Sequence, residues 1–218
     1  MTGVARQDDL FGAVSSLPDG FVYRPEFITP DEEAALLLKI RDLPLEEAKY
    51  KEFTARRRTM HYGGEYDFSA KKLEEAPALP SFLLPLRDKV ADWAGVRPDE
   101  LVHGLVSEYR PGTPLGWHRD VPNFELIGGV SLGGTARMRL RPYRPGEKQN
   151  RADVISVELA PRSAYLMRDD ARWAWQHSIA ATEELRYSIT FRTARRSEGT
   201  GRGRQASRGA RLREQEIP

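Results

Sequence analysis

The chain reads as an α+β protein, mainly β: an antiparallel sandwich or barrel with its helices gathered on one side. Two observations carry that reading. Apolar residues recur with a helical period between residues 29 and 95, and the period changes to two after residue 100. Gly and Pro turns then cut the second half into runs of strand length.

The first helix is announced by Thr29-Pro30-Asp31-Glu32. Thr sits at the N-cap, Pro at the first helical position and Glu at N3, which is a capping box. Leu36, Leu37, Ile40 and Leu43 follow on one face, and Pro44 ends the run. Residues 50–68 are rich in Arg, Tyr and Gly and read as a long loop or irregular hairpin. A second helix is expected over Leu83 to Trp93, with Leu86, Val90 and Trp93 on one face and Gly95 as its stop. Strands are expected over Leu101 to Tyr109, Ile127 to Leu132, Arg137 to Tyr143, Asp153 to Leu159, Ser163 to Met167 and Arg186 to Arg192.

The 218 residues suit one domain, here 19–193, between a flexible N-terminus (1–18) and a disordered tail (194–218). That tail holds seven arginines against three glutamates, so the body is slightly acidic within a net charge of +2. Without cysteine, disulfides, thiolate metal sites and cysteine nucleophiles are excluded. Met1 to Ala13 has no long apolar run and carries Asp8 and Asp9, unlike a secretory signal. No stretch nears the roughly 18–20 apolar residues of a membrane span. A soluble, cytoplasmic monomer is the default expectation.

His118 and Asp120 are two apart, so on extended backbone they share a face. With His177 from elsewhere in sequence they supply two imidazoles and one carboxylate, the facial triad of non-heme Fe(II) oxygenases. His177 is equally readable as a core histidine satisfied by a backbone carbonyl, and the same ligands also suit catalytic zinc. The run Arg186 to Arg192 alternates strictly. Tyr187, Ile189 and Phe191 form an apolar face; Arg186, Ser188, Thr190 and Arg192 form a polar one. Two guanidinium groups flanking two hydroxyls suit a carboxylate. A solvated sheet face, or pairing with glutamates of a neighbouring strand, is the alternative.

From about Gly20 to Arg192 the chain resembles the AlkB-type Fe(II)/2-oxoglutarate dioxygenases. The resemblance is carried by Ser107-x-Tyr109-Arg110-Pro111-Gly112, Trp117-His118-Arg119-Asp120, Val130-Ser131-Leu132-Gly133, and His177 followed by Arg186-Tyr187-Ser188-Ile189-Thr190-Phe191-Arg192. It implies a double-stranded β-helix, or jelly roll, preceded by helices and a nucleotide-recognition lid near residues 50–68. It implies Fe(II) on His118, Asp120 and His177, with 2-oxoglutarate and O₂ as cosubstrates. Tyr109, Arg186 and Arg192 would contact 2-oxoglutarate, and Leu105, Leu115, Ser188 and Thr190 would line its pocket. Arg186 would meet the distal carboxylate, and Arg192 would lie nearer the metal and pair with Asp120. The chain departs from the family pattern at Ser107 and Ser188, where Asn is common, and at Pro122, where nucleobase repair members carry an acidic residue.

The implied reaction is oxidative demethylation of an N-alkylated base in single-stranded DNA, RNA or tRNA, for DNA repair or RNA modification. Arg56, Arg57 and Arg58 would then meet phosphates, and Phe53, His61, Tyr62 or Tyr66 would stack on the base or else serve lid packing. The rivals are a dioxygenase acting on a protein side chain or small molecule, and a jelly-roll binding module without chemistry.

Overall fold

In a computed structural model of the chain, residues 17–50, 53–63, 65–67, 72–74, 76–148 and 150–195 are described. Most of the basic tail and residues 1–16 of the N-terminus lie outside them, as do the side chains of Phe53 and Tyr66.

The capping box forms as expected. Thr29 Oγ1 accepts from the Glu32 amide at 3.1 Å, and the Thr29 amide donates to the Glu32 carboxylate at 2.7 Å. They start helix α1 (Pro30–Ile40). Helix α2 (Leu84–Ala94) stops at Gly95, whose φ of 72° is the left-handed conformation that a side chain would disfavour. A one-turn helix, α3 (Asp169–Trp173), comes late in the chain.

The strands are β1 (Phe21–Arg24), β2 (Glu46–Tyr50), β3 (Phe53–Tyr62), β4 (Glu65–Asp67), β5 (Lys72–Glu74), β6 (Leu101–Tyr109), β7 (Leu115–His118), β8 (Phe124–Gly133), β9 (Ala136–Pro142), β10 (Ile155–Leu159), β11 (Ala164–Met167), β12 (Trp175–Ile179) and β13 (Arg186–Ala194). Seven form a large sheet in the order β1-β11-β8-β13-β6-β3-β2, and four form a small one in the order β10-β9-β12-β7. β4 and β5 pair apart from both. All pairings are antiparallel.

Alternation along the strands places the layers. Tyr187, Ile189 and Phe191 of β13 join Val106, Val130 and Leu132 in one core with Leu36, Ile40, Leu86 and Val90 of the two helices. The helices therefore cover the outer face of the large sheet. A second core joins Tyr109, Ile127, Tyr165 and Met167 of the large sheet to Met138, Leu140, Leu159 and Ile179 of the small one. The two sheets thus lie face to face, as in a jelly roll.

Of the two forms expected for residues 50–68, the irregular hairpin is the one found: β2 and β3 pair with a register shift between Glu47 and Lys49, and β3 pairs along Arg58–Tyr62 with β6 inside the large sheet. The Arg and Tyr residues of this stretch left loop and strand undecided because the expected apolar alternation is replaced by polar residues facing a cavity. The short strands β1, β7 and β12 were not anticipated; four or five residues leave little periodic signal.

Candidate active site

The inward face of β13 opens into a cavity of about 850 Å³ between the sheets. Arg186, Ser188, Thr190 and Arg192 line it, with Leu105, Ser107 and Tyr109 of β6, Leu115 and His118 of β7, and His177 and Ile179 of β12. The alternation of β13 is explained at once: one face packs on helices, the other walls the cavity.

His118 and His177 are direct cross-strand partners on β7 and β12, with ring centroids 4.1 Å apart. Asp120 follows just beyond the end of β7. One ligand atom from each of the three lies within 4.8 Å of the others. The Gly116 carbonyl accepts from His118 Nδ1 at 2.8 Å, which places the proton on Nδ1 and leaves the Nε2 lone pair for a metal. Burial first, and the neighbouring His118 second, push His177 down to about 3, and burial lowers His118 too, so both imidazoles stay neutral. Burial alone would raise the Asp120 carboxyl, but the charge of Arg192 foremost among its neighbours outweighs it and keeps the group ionised. Arg192 Nη2 donates to Asp120 Oδ1 at 3.4 Å. Two neutral imidazoles and one carboxylate are the donor set that suits Fe(II) with open positions.

Arg186 is 1% exposed, yet among the described residues it has no carboxylate partner. Its Nε donates to Ser131 Oγ at 3.0 Å, and its guanidinium lies over the Tyr109 ring, 4.9 Å from the centroid. Its Nη1 is buried without a hydrogen-bond partner. Among the described residues Arg57 Nε is the other buried side-chain atom in that condition, and Arg57 Nη1 donates to the Tyr109 hydroxyl at 3.5 Å. Burial would raise the Tyr109 phenol, but Arg57 and Arg186 outweigh it and the net shift is downward. Unpaired donors beside a buried cationic pair fit a carboxylate-bearing cosubstrate.

The β3 residues divide between roles. Arg57, Thr59 and His61 line the cavity. Arg56 is exposed. Arg58 instead pairs with Glu108 at 3.1 Å and donates to the Leu45 carbonyl, a structural tie between strands. Tyr62 is buried in the helix-side core with its hydroxyl on Met60 sulfur, so it does not stack in the cavity. Pro122 is exposed and outside the cavity lining, where Val121 and Phe124 stand.

Three residues were not anticipated. His103, buried on β6, stands between Arg192 and His61. Arg172 of α3 donates to the carbonyls of Asp120, Val121 and Phe124 and so holds the loop that carries Asp120. Tyr165 lines the cavity, its phenol pushed up to about 12, mainly by burial. Each comes from a strand or helix far off in sequence, and none has a local motif.

A profile of the 2OG-Fe(II) oxygenase superfamily matches residues 20–197. Among curated proteins, Uncharacterized protein L905 of Acanthamoeba polyphaga mimivirus is 30% identical over 193 residues, covering 80% of this chain and 84% of that protein. An Arabidopsis thaliana protein named Alkylated DNA repair protein ALKBH8 homolog is 28% identical, over 81% of this chain but only 56% of its own length. A Danio rerio protein named Probable RNA/DNA demethylase ALKBH6 is 25% identical, over 76% of this chain and 71% of its own. The solved structure of OsALKBH1 shares the fold, with a TM-score of 0.64 at 14% identity over 82% of this chain and all of that one. The chain belongs to the 2OG-Fe(II) oxygenase superfamily and is an AlkB-type dioxygenase, an oxidoreductase that works with Fe(II), 2-oxoglutarate and O₂.

Proposed function

We propose that this chain removes N-linked methyl groups from bases in nucleic acid, with Fe(II) held by His118, Asp120 and His177. On this reading 2-oxoglutarate is gripped by Arg186, Tyr109 and Arg192 in a pocket completed by Leu105, Ser107, Leu115, Ser188 and Thr190. The observation that carries it is the buried guanidinium of Arg186, with an unpartnered Nη1 and no carboxylate of the described chain opposite, in the same cavity as the metal donors. A buried unpaired charge costs several kcal/mol unless a ligand supplies the counter-charge.

With iron bound, oxidative decarboxylation of 2-oxoglutarate drives hydroxylation of the methyl carbon, which leaves as formaldehyde. The chain's own residues prepare the setting. Gly116 fixes the His118 tautomer, Arg192 holds Asp120 charged, and Arg172 fixes the loop beneath Asp120.

The nucleic-acid substrate is supported by the names of the Arabidopsis and zebrafish relatives and by basic residues: Arg119 in the cavity lining, and Arg139 and Arg141 on the outer face of the small sheet, where they alternate with the buried Met138 and Leu140. Arg119 lies 3.7 Å over the Tyr143 ring and Arg141 lies 4.2 Å over the Trp117 ring. Arg139 and Arg141 donate to the neutral acceptors Ser178 and Gln176. Among the described residues none of these three arginines has a carboxylate partner, so their charge is open to phosphate. A panel of methylated single-stranded DNA, RNA and tRNA, read by mass spectrometry for base demethylation and by formaldehyde release, tests the proposal. Turnover of 2-oxoglutarate that none of them stimulates would turn the assignment toward a protein side chain or small molecule, the reading that exposed Pro122 favours.

A further inference from the structure

Two of the chain's four histidines, His61 on β3 and His103 on β6, stand outside the proposed iron ligands. His61 Nδ1 is 3.2 Å from His103 Nε2. His103 Nδ1 is 3.1 Å from Arg192 Nη1, and the other arm of that guanidinium reaches Asp120. A guanidinium has donors only. His103 Nδ1 must therefore accept, so its single proton sits on Nε2. That N–H donates to His61 Nδ1, and the proton of neutral His61 is left on Nε2. Arg192, itself oriented by Asp120, thus sets the tautomers of two imidazoles in series.

His61 lines the cavity. Its Nδ1 is occupied by His103, so only the Nε2–H remains to meet a molecule there. Arg57 and Thr59 share that wall at two-residue spacing, and the buried Nε of Arg57 is a second donor without a partner. Burial, with the charge of Arg192 next, pushes His61 down to about 4 and lowers His103 further, in keeping with two neutral rings.

We propose that His61, held by His103 as a fixed N–H donor, determines specificity by hydrogen-bonding a carbonyl oxygen of the substrate base. This rests on the nucleic-acid reading above. The cavity then favours neutral, carbonyl-bearing bases such as 3-methyluracil over 1-methyladenine. The latter turns an amino donor and a positive charge toward a wall of donors, where a donor facing a donor stays unpaired.

Two measurements on the full chain test this. Histidine-selective ¹⁵N NMR of the metal-free protein at neutral pH reads the tautomers, and four histidines keep the spectrum assignable. His61 and His103 are both expected as Nε2–H; a proton on Nδ1 of His61 overturns the proposal. With the iron-loaded chain, 3-methyluridine and 1-methyladenosine in the same single-stranded RNA sequence are compared by kcat/KM. The first should lead by at least about tenfold. His61→Leu should bring the ratio to within about threefold of unity, whereas His61→Gln, whose amide keeps an N–H near the Nε2 position, should retain part of the preference. A wild-type preference for 1-methyladenosine, or an unchanged ratio in His61→Leu, overturns this proposal alone. If neither oligonucleotide is demethylated, nor any member of the methylated DNA, RNA and tRNA panel, while the tautomers are as stated, the nucleic-acid reading falls and the assignment of His61 to a base falls with it.

Discussion

Replacing Arg186 by Met should separate binding from stability in opposite directions. The side chain is 1% exposed; its Nε donates to Ser131, and its Nη1 is buried without a hydrogen-bond partner. In the protein without 2-oxoglutarate this cation is buried with no countercharge among the described residues. Swapping a buried ion for a well-packed apolar side chain is often neutral or stabilising by about 1–4 kcal/mol. The loss of the bond to Ser131 subtracts about 1 kcal/mol. The net effect without ligand therefore lies between about 1 kcal/mol lost and about 3 kcal/mol gained, a Tm from slightly lowered to clearly raised at about 2–4 °C per kcal/mol for a chain of this size. With 2-oxoglutarate the sign reverses. Removing one partner of a desolvated charge pair costs about 3–5 kcal/mol, roughly two to three and a half orders of magnitude in Kd. Calorimetric titration of 2-oxoglutarate into Zn(II)-loaded wild-type and variant protein measures the second effect. Thermal melts with and without 2-oxoglutarate measure the first, and the ligand-induced rise in Tm should vanish in the variant. An Arg186→Met protein that melts well below wild type yet binds 2-oxoglutarate with unchanged affinity would show that Arg186 serves the fold and would refute the reasoning.

Other outcomes follow from the same structure. Asp120→Ala removes the only carboxylate of the donor set and leaves Arg192 without its acid partner, so metal content after dialysis should fall by at least about tenfold, read by elemental analysis. All four histidines have pKa values depressed chiefly by burial. Each therefore favours the folded state above the unfolded value of about 6.5 and loses that contribution as pH falls toward its folded value. The metal-free protein should lose about 1 kcal/mol for each of His61, His103 and His177 between pH 7 and 5.5 in urea titrations, and His61→Leu should flatten that slope. Gly129→Ala should destabilise by about 1–3 kcal/mol, because its Cβ would stand 2.4 Å from the Tyr165 ring; differential scanning calorimetry reads the loss.

What the sequence made legible were features with local physical signatures. The capping box at Thr29 and the glycine stop at Gly95 are encoded within a few residues and appear as read. The alternation in 186–192 disclosed both faces of the central strand, although its neighbours β6 and β8 could not be named from it. Spacing two apart brought His118 and Asp120 together, while His177 needed the cross-strand register of β12 on β7 to join them. Illegible were contacts made only by folding. Arg57 and Arg58 are adjacent in sequence, yet the pleat sends one into the cavity and the other to Glu108. Tyr62 could be read either as stacking on a base or as packing, and it packs, filling the core under the helices because β3 is a sheet strand. His103 carries no motif at all; its meaning comes from the guanidinium of a residue 89 positions away.

The central claim is that His118, Asp120 and His177 hold Fe(II) beside a 2-oxoglutarate pocket floored by Arg186. Anaerobic addition of Fe(II) and then 2-oxoglutarate to the purified chain tests it most directly, with the visible absorption spectrum as readout. A metal-to-ligand charge-transfer band should appear only when both are present, vanish in His118→Ala, and demand far higher 2-oxoglutarate in Arg186→Met. Absence of the band in the wild-type chain, or its persistence in His118→Ala, would contradict the account.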